Sequence, residues 1–105
     1  MSNYTFTFRS RYGQLRTATL LDEKQGTFKV SGPSDFCRGG ENMIDFEGGP
    51  FYAVGTDFHG LGKVTSVTTP CHEEHDFHEP TALVTVKFSA KGRKEIKKWQ
   101  EENYG

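Results

Sequence analysis

Tyr4, Phe6 and Phe8 alternate with Thr5, Thr7 and Arg9, the period-two pattern of a strand with one buried face. Arg11-Tyr12-Gly13 forms a turn, Gln14 to Leu21 is rich in Thr and Leu, Asp22 to Gly26 turns again, and Phe28 and Val30 mark a third strand. Short strands joined by compact polar turns read as an antiparallel meander. From Gly32 to Gly62 the texture changes, since eight of the twelve glycines fall there, and loops are expected to dominate. Two short strands remain legible within it, Met43 to Phe46 and Phe51 to Val54, separated by a hairpin turn at Glu47-Gly48-Gly49-Pro50. Val64 to Thr68 and Ala82 to Phe88 are two more strands, the second alternating Ala82, Val84, Val86 and Phe88 on one face, and the connection Thr69 to Thr81 is long and charged.

Only Ser89 to Asn103 carries a helical pattern, with Ser89 as N-cap and Ile96 and Trp99 on one side. These two large apolar side chains are expected to dock the helix, with Trp99 as its anchor in the apolar sheet face. Lys91, Arg93 and Lys94 crowd its first turns and Glu101 and Glu102 its last, the unfavourable order for the helix macrodipole. The fold class expected is α+β: an antiparallel β-sheet of five to seven short strands, curled toward a barrel, with one C-terminal helix.

Composition sharpens this picture. Nine Phe and an aromatic content of 13% in a chain only 33% hydrophobic favour a core of aromatic and β-branched side chains on strands. At 105 residues a single core, residues 1–105 as one domain, is the norm. No run approaches the roughly 18 apolar residues of a bilayer span, and the polar start lacks a signal-peptide core. With only Cys37 and Cys71 there is no disulfide framework. A cytoplasmic protein without membrane association is the expectation.

The net charge of -1 conceals an uneven distribution: residues 1–38 carry +3, residues 39–81 carry -7 and residues 82–105 carry +3. That balance argues against a constitutive binder of long duplex nucleic acid. It leaves room for separate basic and acidic faces, or for ends and middle that neutralise each other in the fold. Arg9, Arg11 and Arg16, with Lys29, alternate with Thr and aromatic residues along the meander, which suits phosphate contacts on its exposed face. The glycine-rich run Gly55 to Lys63 lacks the register of a phosphate loop, because Asp57 stands where a glycine is required and Val64 where Ser or Thr is required. It reads as a hairpin loop from which Lys63 could face a ligand.

The densest chemistry lies in Cys71-His72-Glu73-Glu74-His75-Asp76-Phe77-His78-Glu79. His72, His75 and His78, spaced by three, could share one side of a short helix and hold zinc or another divalent metal. The metalloprotease signature fails, since Asp76 occupies the place of its second histidine. The plainer reading is a solvated acidic loop whose histidines change its charge near pH 6.5. Cys37, beside Arg38 and Gly39-Gly40 but far in sequence from any histidine, matches no hydrolase motif.

These observations favour a small non-enzymatic binding or inhibitory protein, in the manner of phage accessory proteins, without a cofactor. It would capture a nucleotide-like anionic ligand or a protein partner, with Arg9, Arg11, Arg16 and Lys63 as the ligand-binding set. The alternative is a zinc-type metal-dependent enzyme using residues 71–79 with His72, His75 and His78 as ligands. Self-association through an exposed strand is open, with no edge singled out.

Overall fold

The computed structural model describes residues 3–32, 37–40, 42–68 and 81–104. The meander is present as β1 (Thr5–Arg9), β2 (Leu15–Asp22) and β3 (Thr27–Ser31), followed by β4 (Cys37–Gly40), β5 (Met43–Phe46), β6 (Phe51–Ala53), β7 (Gly62–Thr68), β8 (Thr81–Phe88) and helix α1 (Ala90–Tyr104). The strands form two antiparallel sheets, a five-stranded one in the order β1-β2-β3-β8-β7 and a three-stranded one in the order β4-β5-β6. The α+β class and the C-terminal helix therefore hold. So does the antiparallel sheet of five strands; the remaining strands form a second sheet, and no barrel closes.

Segment 37–40, expected to be loop, is a strand in register with β5, Gly39 opposite Ile44 and Gly40 opposite Met43. A tetrapeptide half of glycine carries no side-chain alternation, so its pairing depends on backbone hydrogen bonds to a partner that periodicity does not see. The hairpin turns fall where expected, and Gly49-Pro50 is a cis peptide.

Alternation decides the core. Ala18, Leu20, Phe28, Val30, Val64, Val67, Ala82, Val84 and Val86 point to one side of the main sheet and are buried. Ile44, Phe46 and Tyr52 meet them from the small sheet, and Phe58 and Leu61 from the loop between β6 and β7. Phe28 sits at the centre, its ring 4.8 Å from that of Phe58 and in edge contact with Tyr4, Phe6 and Phe88. The loop is a hairpin, as expected: Gly55 N-H donates to Val64 O at 2.8 Å and Phe58 N-H to Gly62 O at 2.8 Å, so residues 55–58 line the first part of the outer edge of β7.

Ser89 caps α1, its Oγ accepting the Gly92 N-H at 3.0 Å, while its own N-H donates to Leu61 O. Ile96 is buried and enters the core. Trp99 departs from its expected role: it is half-buried, and its ring meets Tyr4 edge-on at 5.5 Å at the margin of the sheet. The close approach that seats the helix is at Gly92, directly against the Leu61 carbonyl. Among the described residues no helix is long and apolar enough to cross a membrane.

Candidate functional site

The side of the main sheet turned away from the core has a distinct chemistry. Thr5 and Thr7 on β1, Thr17 and Thr19 on β2, Thr27 and Ser31 on β3, Thr81 and Thr85 on β8 and Ser66 on β7 alternate with buried positions, which places their hydroxyls on one face. The cations of that face are Arg9, Lys29, Lys63 and Lys87, all exposed. Lys63 and Lys87 stand directly opposite each other in the β7–β8 ladder. Like charges so placed repel and destabilise the pair of strands, a cost that an anion lying between them would remove.

Two carboxylates border this face, and each is engaged in a turn. Asp22 Oδ1 accepts the N-H groups of Lys24 and Gln25 at 3.0 and 3.2 Å. Asp57, in register with Lys63, accepts the Gly60 N-H at 2.9 Å through Oδ2. The central strand positions between them carry hydroxyls, Leu83 and lysine.

The four residues singled out from the sequence do not form one site. Arg9 and Lys63 are outward, at opposite ends of the strand order. Arg9 is folded back, with Nη1 donating to Gly13 O at 2.8 Å. Arg11 lies in the β1–β2 turn, where its backbone N-H donates to Gly48 O at 2.8 Å.

Arg16 requires a correction: it is 1% exposed and lies on the inward face, not the solvent face. The alternation of β2 puts it on the same side as Ala18 and Leu20, opposite Phe8. Its Nη2 donates to Glu47 O at 2.9 Å and its Cζ stands 4.8 Å from the centre of the Phe46 ring. A guanidinium tolerates this position because it is planar and weakly hydrated, and stacks on an aromatic face.

A second cluster, not anticipated from sequence, lies on the inward side at the margin of β1. Tyr52 Oη and His59 Nε2 are hydrogen-bonded at 2.6 Å. The His59 ring is surrounded by Phe8 (centroids 4.4 Å), Phe58 (4.9 Å) and Phe6 (5.2 Å). His59 adopts φ 50°, uncommon for a residue with a side chain. Burial pushes the Tyr52 phenol far above its ordinary range, with Arg16 opposing. The phenol stays protonated and is a poor acid or nucleophile at neutral pH. Although His59 lies at the surface, its aromatic surroundings desolvate the ring and lower its pKa from 6.5, with Asp57 opposing. The pair acts as a clasp between the β6–β7 hairpin and the β1 aromatics. No sequence pattern signals it, because Tyr52 and His59 belong to a strand and a loop that meet only on folding.

The lowered His59 pKa has a consequence for stability. The unfolded chain binds a proton at His59 at a higher pH than the native protein does, so the native state loses ground as pH falls below about 6.5. Above that pH the contribution is fully present. His59→Asn, which tolerates the positive φ, is expected to flatten the acid side of the curve of melting temperature against pH. An unchanged slope between pH 7 and 5 would show that His59 does not carry it.

The segment holding His72, His75 and His78 lies outside the described residues. Among the described residues no three His, Cys, Asp or Glu side chains gather in a metal-binding arrangement. A cleft of ≈170 Å³ between α1 and the β2–β3 turn is lined by Glu23, Phe88, Arg93 and Ile96, below the roughly 300 Å³ at which small-molecule pockets begin. No protein-family model matches the chain, and no curated protein and no solved structure matches it.

Proposed function

We propose that this protein is a non-enzymatic binding protein that holds a phosphate-bearing ligand against the outward face of its five-stranded sheet. The observation that carries this reading is the juxtaposition of Lys63 and Lys87 in direct register, with Lys29 two strands from Lys63, on a face rich in Thr and Ser hydroxyls. Lysines supply point charges for phosphate and hydroxyls supply neutral hydrogen bonds to its oxygens. The lysines of this face are exposed, and its described strand positions carry no aromatic side chain on which a base could stack. The face therefore suits an extended phosphate backbone, such as a short single-stranded oligonucleotide, better than an enclosed mononucleotide. Contacts would go to phosphate and sugar, with little discrimination among bases.

The test is fluorescence anisotropy with a labelled single-stranded oligonucleotide at low salt. The native chain is expected to bind, and the affinity to fall as salt is raised, because each neutralised phosphate releases counterions. The triple variant Lys29→Gln, Lys63→Gln, Lys87→Gln is expected to lose at least tenfold in affinity with a melting temperature equal to or slightly above that of the native chain, since exposed substitutions shift stability by only about 0.5 kcal/mol and loss of the opposed charges relieves their repulsion. Arg16→Gln is not a suitable probe, because it disturbs the core. Absence of binding at low salt, or full binding by the triple variant, would overturn the reading and turn attention to an acidic protein surface as the partner of this face.

A further inference from the structure

We infer that β1 is a self-association edge, through which a second copy of this chain adds antiparallel to the five-stranded sheet. The inference is independent of the ligand assigned to the outward face.

The two ends of the main sheet differ among the described residues. At the β7 end, residues 55–58 bond to Gly62 and Val64 and so occupy the first part of the edge. At the other end, β1 pairs with β2 alone. Leu20 N-H donates to Tyr4 O at 2.8 Å, and Ser10 N-H to Gln14 O at 2.9 Å. In an antiparallel ladder hydrogen-bonded pairs alternate with non-bonded pairs. The register of Phe6 with Ala18 and Phe8 with Arg16 therefore turns the backbone groups of even residues toward β2. Those of Thr5, Thr7 and Arg9 are turned to the free edge.

This edge lacks the features that ordinarily protect one. It has no proline, bulge or inward charge, and its single cation is at its end. Its inward side chains Tyr4, Phe6 and Phe8 are only half-buried, whereas their counterparts on β2 and β3 are fully buried. A further strand would cover them.

The occupant is argued from the strand's own symmetry. With a two-fold axis through Thr7, all five residues of β1 pair: Thr7 with Thr7 of the second copy, Phe6 with Phe8 of the second copy, and Thr5 with Arg9 of the second copy. Thr7 and Thr5 face the second copy as hydrogen-bonded pairs, which the two-fold allows. The Phe6 and Phe8 positions then fall at the closer, non-hydrogen-bonded pairs, where aromatic cross-strand contacts are favourable. No like charges are opposed. Both inward faces remain on one side, so the two main sheets become one continuous sheet.

Sedimentation equilibrium over a wide concentration range tests this on the full chain. The native protein is expected to be a dimer. Thr7→Pro, which deletes an N-H directed away from β2 and sits in an edge strand, is expected to be a monomer with native near-ultraviolet circular dichroism.

Cross-linking gives a second readout that does not depend on that variant folding. In a chain carrying Cys37→Ser and Cys71→Ser, Thr7→Cys places two cysteines at a hydrogen-bonded pair with Cα atoms about 5.5 Å apart, within disulfide reach. It is expected to oxidise to a covalent dimer. Thr5→Cys in the same background is expected to stay monomeric on denaturing gels, because the two copies of position 5 are offset by four residues, about 13 Å along the strands. A native chain that is monomeric throughout, or a Thr5→Cys chain that cross-links as readily as Thr7→Cys, would overturn the inference.

Discussion

Phe28→Ala is expected to lower the free energy of unfolding by about 3–5 kcal/mol, the cost of deleting a fully enclosed aromatic ring. Phe28 is 0% exposed, and the rings around it come from β1, the β6–β7 loop and β8. The neighbours are themselves large and mutually packed, so they cannot collapse into the space left behind. A domain of this size is stable by roughly 5–15 kcal/mol, so one substitution would remove about a fifth or more of that margin. Urea denaturation followed by circular dichroism would show it as a lower midpoint with an unchanged slope. A loss under about 1 kcal/mol would mean that the ring is not enclosed as described.

Gly92→Ala is expected to destabilise the protein by about 3 kcal/mol, the upper range for forcing an extra methyl into a packed contact. The sign is the informative part. In an isolated helix Ala is better than Gly by about 1 kcal/mol, so propensity alone predicts a gain. Here a Cβ on Gly92 would overlap the carbonyl of Leu61, with nothing flexible in the way to move. The Leu61 carbonyl also accepts the Ser89 N-H at 3.0 Å, so displacing the helix strains its own cap. Melting curves of the native and variant chains would decide the matter: a variant as stable as the native chain would show that α1 does not approach the hairpin this closely.

Much of this architecture was legible because alternation and burial follow from the same physics. Successive side chains in a strand point to opposite faces, so Tyr4-Phe6-Phe8 and Ala82-Val84-Val86-Phe88 announce both their conformation and their buried side. The same rule, applied to Arg16, would have put it inside with Ala18 and Leu20. Its charge suggested the solvent face, and position in the alternation prevailed because Phe46 and the Glu47 carbonyl receive the guanidinium. Gly26 shows the same reasoning at a turn. Its φ of 75° and the Val86 carbonyl 2.1 Å from where a Cβ would lie allow no side chain there, and a glycine ending the turn before β3 was visible in the sequence.

The candidate face was legible only in part. Lys29 and Lys63 were visible as basic residues among Thr and Ser, but Lys87 enters through a register of β7 with β8 that spans a long connection and includes a bulge between Val64 and Ser66. A one-residue slip there would send every later side chain to the other face.

By itself, the sequence determined seven of the eight described strands, the buried side of those that alternate, and the capped helix that follows β8, because these depend on local periodicity and on turn and cap chemistry. Tertiary structure alone decided that the strands divide into two sheets, that Gly39 and Gly40 lie in a strand, that Arg16 is enclosed and that Tyr52 meets His59. Each of these turns on a partner that side-chain periodicity does not show, distant in the chain for Arg16 and Glu47 and near in the chain for Tyr52 and His59 and for Gly40 and Met43, and the energy of such a contact is set by the geometry that folding supplies.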